Sequence, residues 1–303
     1  MTIDLQRILN SSSGIRLASA LAQTAPPRLG KRIAYMIADL LSSRRKARVV
    51  RAIRLNQWVI RGRKPDAAAL DAAVRETFRQ SARSIFDLHH YIGNAEATRG
   101  LIVMDEGTRA MAARAEFEER GMVAVGLHMS GFDLILQWLC KQGLRPLVFT
   151  IAEPKGGRRV EYEKRQQLGM NLVPASKSGL RHSAEHLIKG GLVITGMDRP
   201  IQDPVSHPTF FGLPSALPMH PIFMALKADV PVQIFAAQYR EDGHYHVLSS
   251  PMIEMERHPH REKEALLNAE KVLGMAEEFI RREPAQWSVP LAVWPELIDQ
   301  TPA

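Results

Sequence analysis

The stretch Gly121 to Cys140, GMVAVGLHMSGFDLILQWLC, holds a histidine and an aspartate with four residues between them, His128 and Asp133. If Asp133 accepts the proton of one imidazole nitrogen, the other nitrogen is fixed as a bare acceptor that can take a proton from an alcohol. That is the work of a general base. The surrounding pattern predicts how the pair is presented. Met122 to Leu127 reads as an apolar strand, and Leu134, Ile135, Trp138 and Leu139 recur at helical spacing. Ser130 is then expected at the N-cap, Gly131 relaxes the turn, and Asp133 falls in the first helical turn, where the helix N-terminus keeps a carboxylate ionised. The plainer reading of the same residues is a satisfied histidine at a strand end and an ordinary first-turn acid.

A second polar cluster lies downstream. Gly190 to Pro200, GGLVITGMDRP, reads as a tight turn, a buried strand, and then Asp198 and Arg199 at its carboxyl end. Arg158, Arg159, Lys164 and Arg165 add cations suited to a phosphate or diphosphate, or else to a solvated salt-bridge network. A rival constellation is His182-Ser-Ala-Glu185-His186, an HxxEH pattern that would place two imidazoles and a glutamate base on one zinc ion, with Glu262 or Glu264 as third-ligand candidates. The helical wheel speaks against it. Leu180, Ala184, Leu187 and Ile188 share one face while His182, His186 and Lys189 fall on the other, as on a solvated surface. There is no GxSxG elbow, no GxxxxGK[ST] loop and no GxGxxG. Cys140, the single cysteine, excludes an intramolecular disulfide and reads as a small core residue.

These residues must be held by a scaffold. From Leu101 onward strand and helix patterns alternate: strands at 101–104, 122–127, 146–151, 171–173, 192–195 and 232–238, helices at 107–120, 132–142, 159–168, 179–189 and 216–227. Tyr245 to Leu248 is expected to pair back as an edge strand, Arg261 to Glu283 to form the last long helix, and Trp287 and Trp294 to lie in a Pro-rich tail packed on the surface. This alternation predicts an α/β fold, a layered, mostly parallel sheet flanked by helices with an N-terminal helical extension, whose ligands gather at the carboxyl ends of the strands. The expected division is a helical, basic, membrane-associating segment at 1–98 and an α/β core at 99–303.

The charge is unevenly placed. The 303 residues carry a net +8, yet residues 1–64 alone carry 14 Lys/Arg against Asp4 and Asp39, so the rest of the chain is net acidic. Basic helices suit a surface of phosphates, and without interleaved aromatics an anionic bilayer is expected as partner and nucleic acid is not. Helices are predicted at 14–23 and 29–41, and another at 43–61 with Arg44, Arg48 and Arg51 opposite Val49, Val50, Ile53 and Ile60. That last helix either rests on a bilayer or packs its apolar face on the core. The N-terminus does not read as a signal peptide, and the longest uncharged run, Pro204 to Leu226, contains five prolines and does not read as a spanning helix. A peripheral protein on the cytoplasmic face of the inner membrane is the expectation.

HMSGFD is an H-x4-D motif, and it is followed in order by GLVITGMDR, by Thr209 to Ala216 (TFFGLPSA), by Pro218-Met-His-Pro and by Ala228 to Ile234 (ADVPVQI). In these blocks, and in Arg51 to Asn56, the chain resembles the bacterial lipid A biosynthesis (lauroyl/myristoyl) acyltransferase family, which includes the phosphatidylinositol mannoside acyltransferases. The resemblance implies transfer of a fatty acyl group from acyl-CoA or acyl carrier protein to a hydroxyl of a membrane glycolipid or phospholipid, without metal or further cofactor. It casts His128 as the base and Asp133 as the residue that orients it. Arg165, Asp198 and Arg199 match family positions lining the acceptor or donor groove, with Arg158 among the neighbouring cations, and Phe211 would line an acyl channel unless it serves the core. The Glu-Gly-Thr-Arg signature of glycerolipid acyltransferases is replaced by Asp198-Arg199-Pro200, which turns the expectation away from a glycerol-phosphate acceptor. The alternatives carried forward are a zinc hydrolase on His182, Glu185 and His186, and a catalytically silent lipid-binding protein.

Overall fold

A computed structural model describes residues 20, 22–114, 120–150, 157–167 and 170–302, the side chains at 157, 158, 160, 161 and 164 excepted. The helix predicted at 14–23 therefore lies almost wholly outside the described residues, and so does the side chain of Arg158.

Among the described residues, four full helices precede the first strand: α1 (Pro27–Ser42), α2 (Arg48–Ile60), α3 (Ala67–Tyr91) and α4 (Ala95–Arg99). Pro27 starts α1 where its missing N–H costs nothing, and the Asp66 carboxylate caps α3 by accepting from the Ala69 N–H at 2.8 Å. Then come β1 (Ile102–Met104), α5 (Glu106–Ala112), β2 (Met122–Gly126), α6 (Phe132–Lys141), β3 (Leu147–Thr150), α7 (Gly157–Gln167), β4 (Asn171–Pro174), α8 (Lys177–Ile188) and β5 (Leu192–Thr195). A hairpin of β6 (Thr209–Phe210) and β7 (Leu213–Pro214) leads to α9 (His220–Ala228), β8 (Val232–Tyr239), β9 (Tyr245–Ser249) and α10 (Arg261–Arg282).

Seven strands form one sheet in the order β1-β9-β8-β2-β5-β3-β4, parallel except for the β8/β9 pair. The expected α/β class is what the chain adopts. β2 lies where the connections reverse direction, β5, β3 and β4 to one side and β8 and β9 to the other, and a crevice at the strands' carboxyl ends follows from that topology. Side chains of β2 alternate between two cores. Val123 and Val125 join α2, α9, α10 and the C-terminal tail, while Met122 and Ala124 join α6 and Tyr245. Both faces are therefore covered, which explains why β2 and β5 read as unbroken apolar runs.

Several expectations change. β9 is not the edge: β1 pairs with it in parallel on its outer side. Trp287 and Trp294 are 1% and 0% exposed, since the tail folds back into the core under α2. The helix expected from Ala216 starts at His220, with Pro221 in its first turn, where the missing N–H costs nothing. The β6/β7 hairpin had no expectation. Its two-residue turn puts Phe211 (φ 51°) and Gly212 (φ 73°) in the left-handed region, a conformation normally left to glycine or asparagine.

Of the two readings open for α2, the structure takes the core. This helix does not offer itself to a bilayer: Val50, Leu55, Val59 and Ile60 are buried, and so are Arg54, Asn56 and Gln57 on its polar side. Each buried aliphatic chain contributes roughly 1.5–3 kcal/mol, so the core outbids any surface role for that face. Arg54 is neutralised by Asp71 at 2.5 Å, and Asn56 ties the tail by donating to the Val289 and Leu291 carbonyls at 3.1 and 2.8 Å. The apolar surface left uncovered belongs to α1, where Leu29, Ile33, Met36, Ile37 and Leu40 recur along one side and are 38–71% exposed. The opposite side of α1 is packed on α3 by Gly30 against Phe86, by the paired Arg79–Asp39 hydrogen bonds at 2.7 and 2.6 Å, and by Lys31 with Asp87 at 3.0 Å. Among the described residues no helix is long and apolar enough to cross a membrane.

Candidate active site

β2 and β5 are parallel neighbours in register, Val125 opposite Thr195. His128 and Asp198 each stand three residues beyond those partners, so the sheet delivers both to the same place. The imidazole Nδ1 lies 2.6 Å from Asp198 Oδ1, and the backbone N–H of His128 donates to Oδ2 at 2.8 Å. Asp198 is fully buried, and a third donor, the indole N–H of Trp287, reaches Oδ2 at 2.9 Å. Burial alone pushes the carboxyl up, but its interactions with the His128 ring, the His128 backbone N–H and the Trp287 indole together outweigh it and hold Asp198 below its ordinary value. An ionised carboxylate only accepts, so Nδ1 carries the proton and Nε2 is left as the acceptor. Nε2 makes no hydrogen bond among the described residues, and the His128 side chain is 25% exposed.

This arrangement corrects the expected pairing. Asp133 does not bend back to His128. It sits in the first turn of α6 and accepts from Arg165 Nη2 at 2.8 Å, both side chains being mostly covered. A first-turn carboxylate so placed faces the neighbouring α7, whereas the bond to His128 is made by the residue that the sheet register brings opposite. Arg165 Nε is buried without a hydrogen-bond partner among the described residues, so a donor remains beside the site. Arg199 is half-buried directly after Asp198.

The turn itself is fixed by glycines. Gly131, not Ser130, stands at the N-cap of α6 with φ 74°, and a Cβ there would meet the Tyr245 ring at 2.6 Å. Its N–H donates to Ser84 Oγ of α3 at 3.2 Å, and the Tyr245 hydroxyl donates to the buried Asp87 at 2.7 Å, so α3 and β9 brace the turn from behind. Ser130 Oγ is buried and makes no hydrogen bond among the described residues. Gly196 matters for the imidazole: a Cβ at that position would lie 2.7 Å from His128 Cε1. On its other side the ring packs edge-on against Phe132 at 5.0 Å. Thr195, at the end of β5, bonds His220 Nε2 at 2.8 Å, and burial pushes that imidazole down to about 4, so it stays neutral.

Among the described residues, Phe211 connects to the site through other rings. It contacts Phe210 at 4.7 Å and lies under the Arg281 guanidinium at 4.6 Å, and Phe210 in turn meets Trp287 at 6.0 Å. The HxxEH residues do not assemble. His182 and Glu185 are exposed on α8, Glu185 pairs with Arg181 at 3.4 Å, and the His186 ring packs over Gly191. Among the described residues no group of three or more His, Cys, Asp or Glu side chains could hold a metal ion. Trp287, Gly196 and Ser84 are the site residues that the sequence did not disclose.

The family described as "Bacterial lipid A biosynthesis acyltransferase" matches residues 7–294. No curated protein matches the chain. Among solved structures, the crystal structure of the 1-acyl-sn-glycerophosphate (LPA) acyltransferase PlsC from Thermotoga maritima aligns with 17% identity and a TM-score of 0.36, covering 77% of this chain and 97% of that one. With a match that runs through nearly the whole sequence and embraces both clusters of the site, this chain belongs to the bacterial lipid A biosynthesis acyltransferase family.

Proposed function

We propose that this lipid acyltransferase moves a fatty acyl group from acyl-CoA or acyl carrier protein to a hydroxyl of a membrane glycolipid or phospholipid, with His128 as general base and Asp198 as the residue that orients it. The observation that carries the reading is the 2.6 Å contact between His128 Nδ1 and the buried Asp198 at the carboxyl ends of two central parallel strands. His128 Nε2 takes the proton of the acceptor hydroxyl as its oxygen attacks the thioester carbonyl. The tetrahedral intermediate collapses by breaking the C–S bond, and the imidazolium returns its proton to the departing thiolate. Asp198 stabilises the imidazolium in between. Asp133 acts at one remove, holding Arg165 in place, and Arg165 and Arg199 supply positive charge for anionic groups of donor or acceptor.

The acceptor is met at a bilayer surface. The exposed apolar side of α1, with Arg28, Arg32, Arg44 and Lys46 exposed near it, has the make-up of an interfacial helix that sinks an apolar face among anionic headgroups. We place the protein peripherally on the cytoplasmic face of the inner membrane. The test is a mass-spectrometric assay of the purified protein with a long-chain acyl-CoA or acyl carrier protein and a polar-lipid extract, alongside His128→Ala. A lipid heavier by one acyl chain, formed by the native protein and absent with the variant, is the expected result. An acylated product that persists in His128→Ala would overturn the reading.

A further inference from the structure

The tail after α10 contributes two consecutive residues to the catalytic pair. The Trp287 indole N–H bonds Asp198 Oδ2 at 2.9 Å, and the next residue, Ser288, donates its backbone N–H to the His128 carbonyl at 3.3 Å. The segment that carries them is anchored on two sides. Gln57 of α2 donates to the Pro284 carbonyl at 2.8 Å, and the Gln286 amide pairs with the backbone of Tyr239 on β8 in both directions at 2.7 and 2.8 Å. The Phe210 ring packs against the indole at 73°. Trp287 therefore reaches Asp198 from a fixed base.

An indole N–H can donate but cannot accept or carry a proton, so it acts on the carboxylate without replacing either partner. We infer that Trp287 is a positioning residue for acyl transfer: with the His128 backbone N–H it occupies Asp198 Oδ2, leaves Oδ1 to the imidazole, and so fixes the orientation and the proton affinity of the pair. This rests on the His128 and Asp198 roles proposed above. Among the described residues, Asp133 of α6 is engaged with Arg165 of α7, and His220 of α9 with Thr195. Arg199 follows Asp198 along the chain. The sign of the effect is fixed. A donor favours the ionised carboxylate, so removing it makes the coupled pair hold a proton more tightly and moves its midpoint to higher pH.

Trp287→Phe keeps most of the ring and removes the N–H. The matched control is Trp294→Phe, since Trp294 is equally buried, stacks on Phe210 at 5.8 Å, and has an indole nitrogen with no hydrogen-bond partner among the described residues. Both variants are followed by thermal unfolding, by steady-state acyl transfer across pH, and by the pH course of the His128 ring resonances. Trp287→Phe is expected to lower kcat about tenfold with little change in KM, and to move the acid limb of the profile up by about half a pH unit. Trp294→Phe is expected to change the melting temperature only. Unchanged kcat and pH course in Trp287→Phe, or the same change in both variants, would overturn the inference. Should Trp287→Phe not fold, the unmodified protein decides: its Trp287 indole N–H resonance must move through the titration of the pair, and an indole that ignores it refutes the role. Because the resonance measurements need no substrate, a protein that shows the coupling but transfers no acyl group refutes the proposed reaction, while the hold of Trp287 on the His128–Asp198 pair stands.

Discussion

His128 and Asp198 are separated by 70 positions in the chain and by 2.6 Å in space, and what closes the distance is the register of two parallel strands. Gly196 lies between them, its bare Cα facing the imidazole. Adding a methyl group there would put carbon 2.7 Å from His128 Cε1, well inside contact distance, and either the ring or the strand end must move. Gly196→Ala is therefore expected to lower kcat by tenfold or more, on the order of what an ångström of misplacement costs, with a much smaller effect on the melting temperature. Wild-type turnover in that variant would contradict the placement of the ring.

His220 sets a pH dependence of stability. Buried at the start of α9, it is pushed down to about 4, whereas an unfolded histidine titrates near 6.5. Between those values the unfolded chain binds a proton that the folded one refuses. Stability is thus full above about 6.5 and falls as the pH drops toward about 4, by up to about 3 kcal/mol. Urea unfolding at pH 7 and pH 4.5 measures it, and His220→Gln, which retains a polar partner for Thr195, should show a shallower loss. Identical pH slopes in the two proteins would show that another group is responsible.

The uncovered side of α1 predicts where the protein meets lipid. Met36→Glu together with Leu40→Glu puts two negative charges on that side at positions 71% and 53% exposed, where fold stability should change by no more than about 0.5 kcal/mol per site. Sedimentation with anionic phospholipid vesicles should fall severalfold, while activity on a detergent-dispersed acceptor is retained. Vesicle binding equal to that of the native protein would remove α1 from the interface.

The alternation of apolar runs from β1 to β8 made the parallel sheet legible, because strands covered on both faces are apolar throughout and their helices keep a 3.6-residue rhythm. His128 was legible for the same reason, as the polar residue that ends such a run. Its partner was not. Local spacing favoured Asp133, which the helix start places nearby in sequence, while the bond to Asp198 depends on which strand lies beside β2, and sheet order is not written in either strand. Trp287 was harder still. Nothing local distinguishes a tryptophan in a proline-rich tail that covers the surface from one that enters the core, and the anchor that draws it in, Asn56, sits more than 200 residues away. For α2 the basic, amphipathic pattern fitted a membrane as well as a core, the commoner fate of such a face. The structure resolved it in favour of the core because Arg54 finds Asp71 and the tail closes over Asn56 and Gln57.

The central claim is that His128 works against Asp198, and the most direct test compares Asp198→Asn with Asp133→Asn in the same acyl-transfer assay. The first variant replaces the pure acceptor that fixes the imidazole tautomer and should cost on the order of 10²- to 10⁴-fold in kcat. The second disturbs only the hold on Arg165, so its effect should fall mainly on KM. Loss of turnover in Asp198→Asn with kcat largely kept in Asp133→Asn is the predicted result, and the reverse order would contradict the pairing on which the account stands.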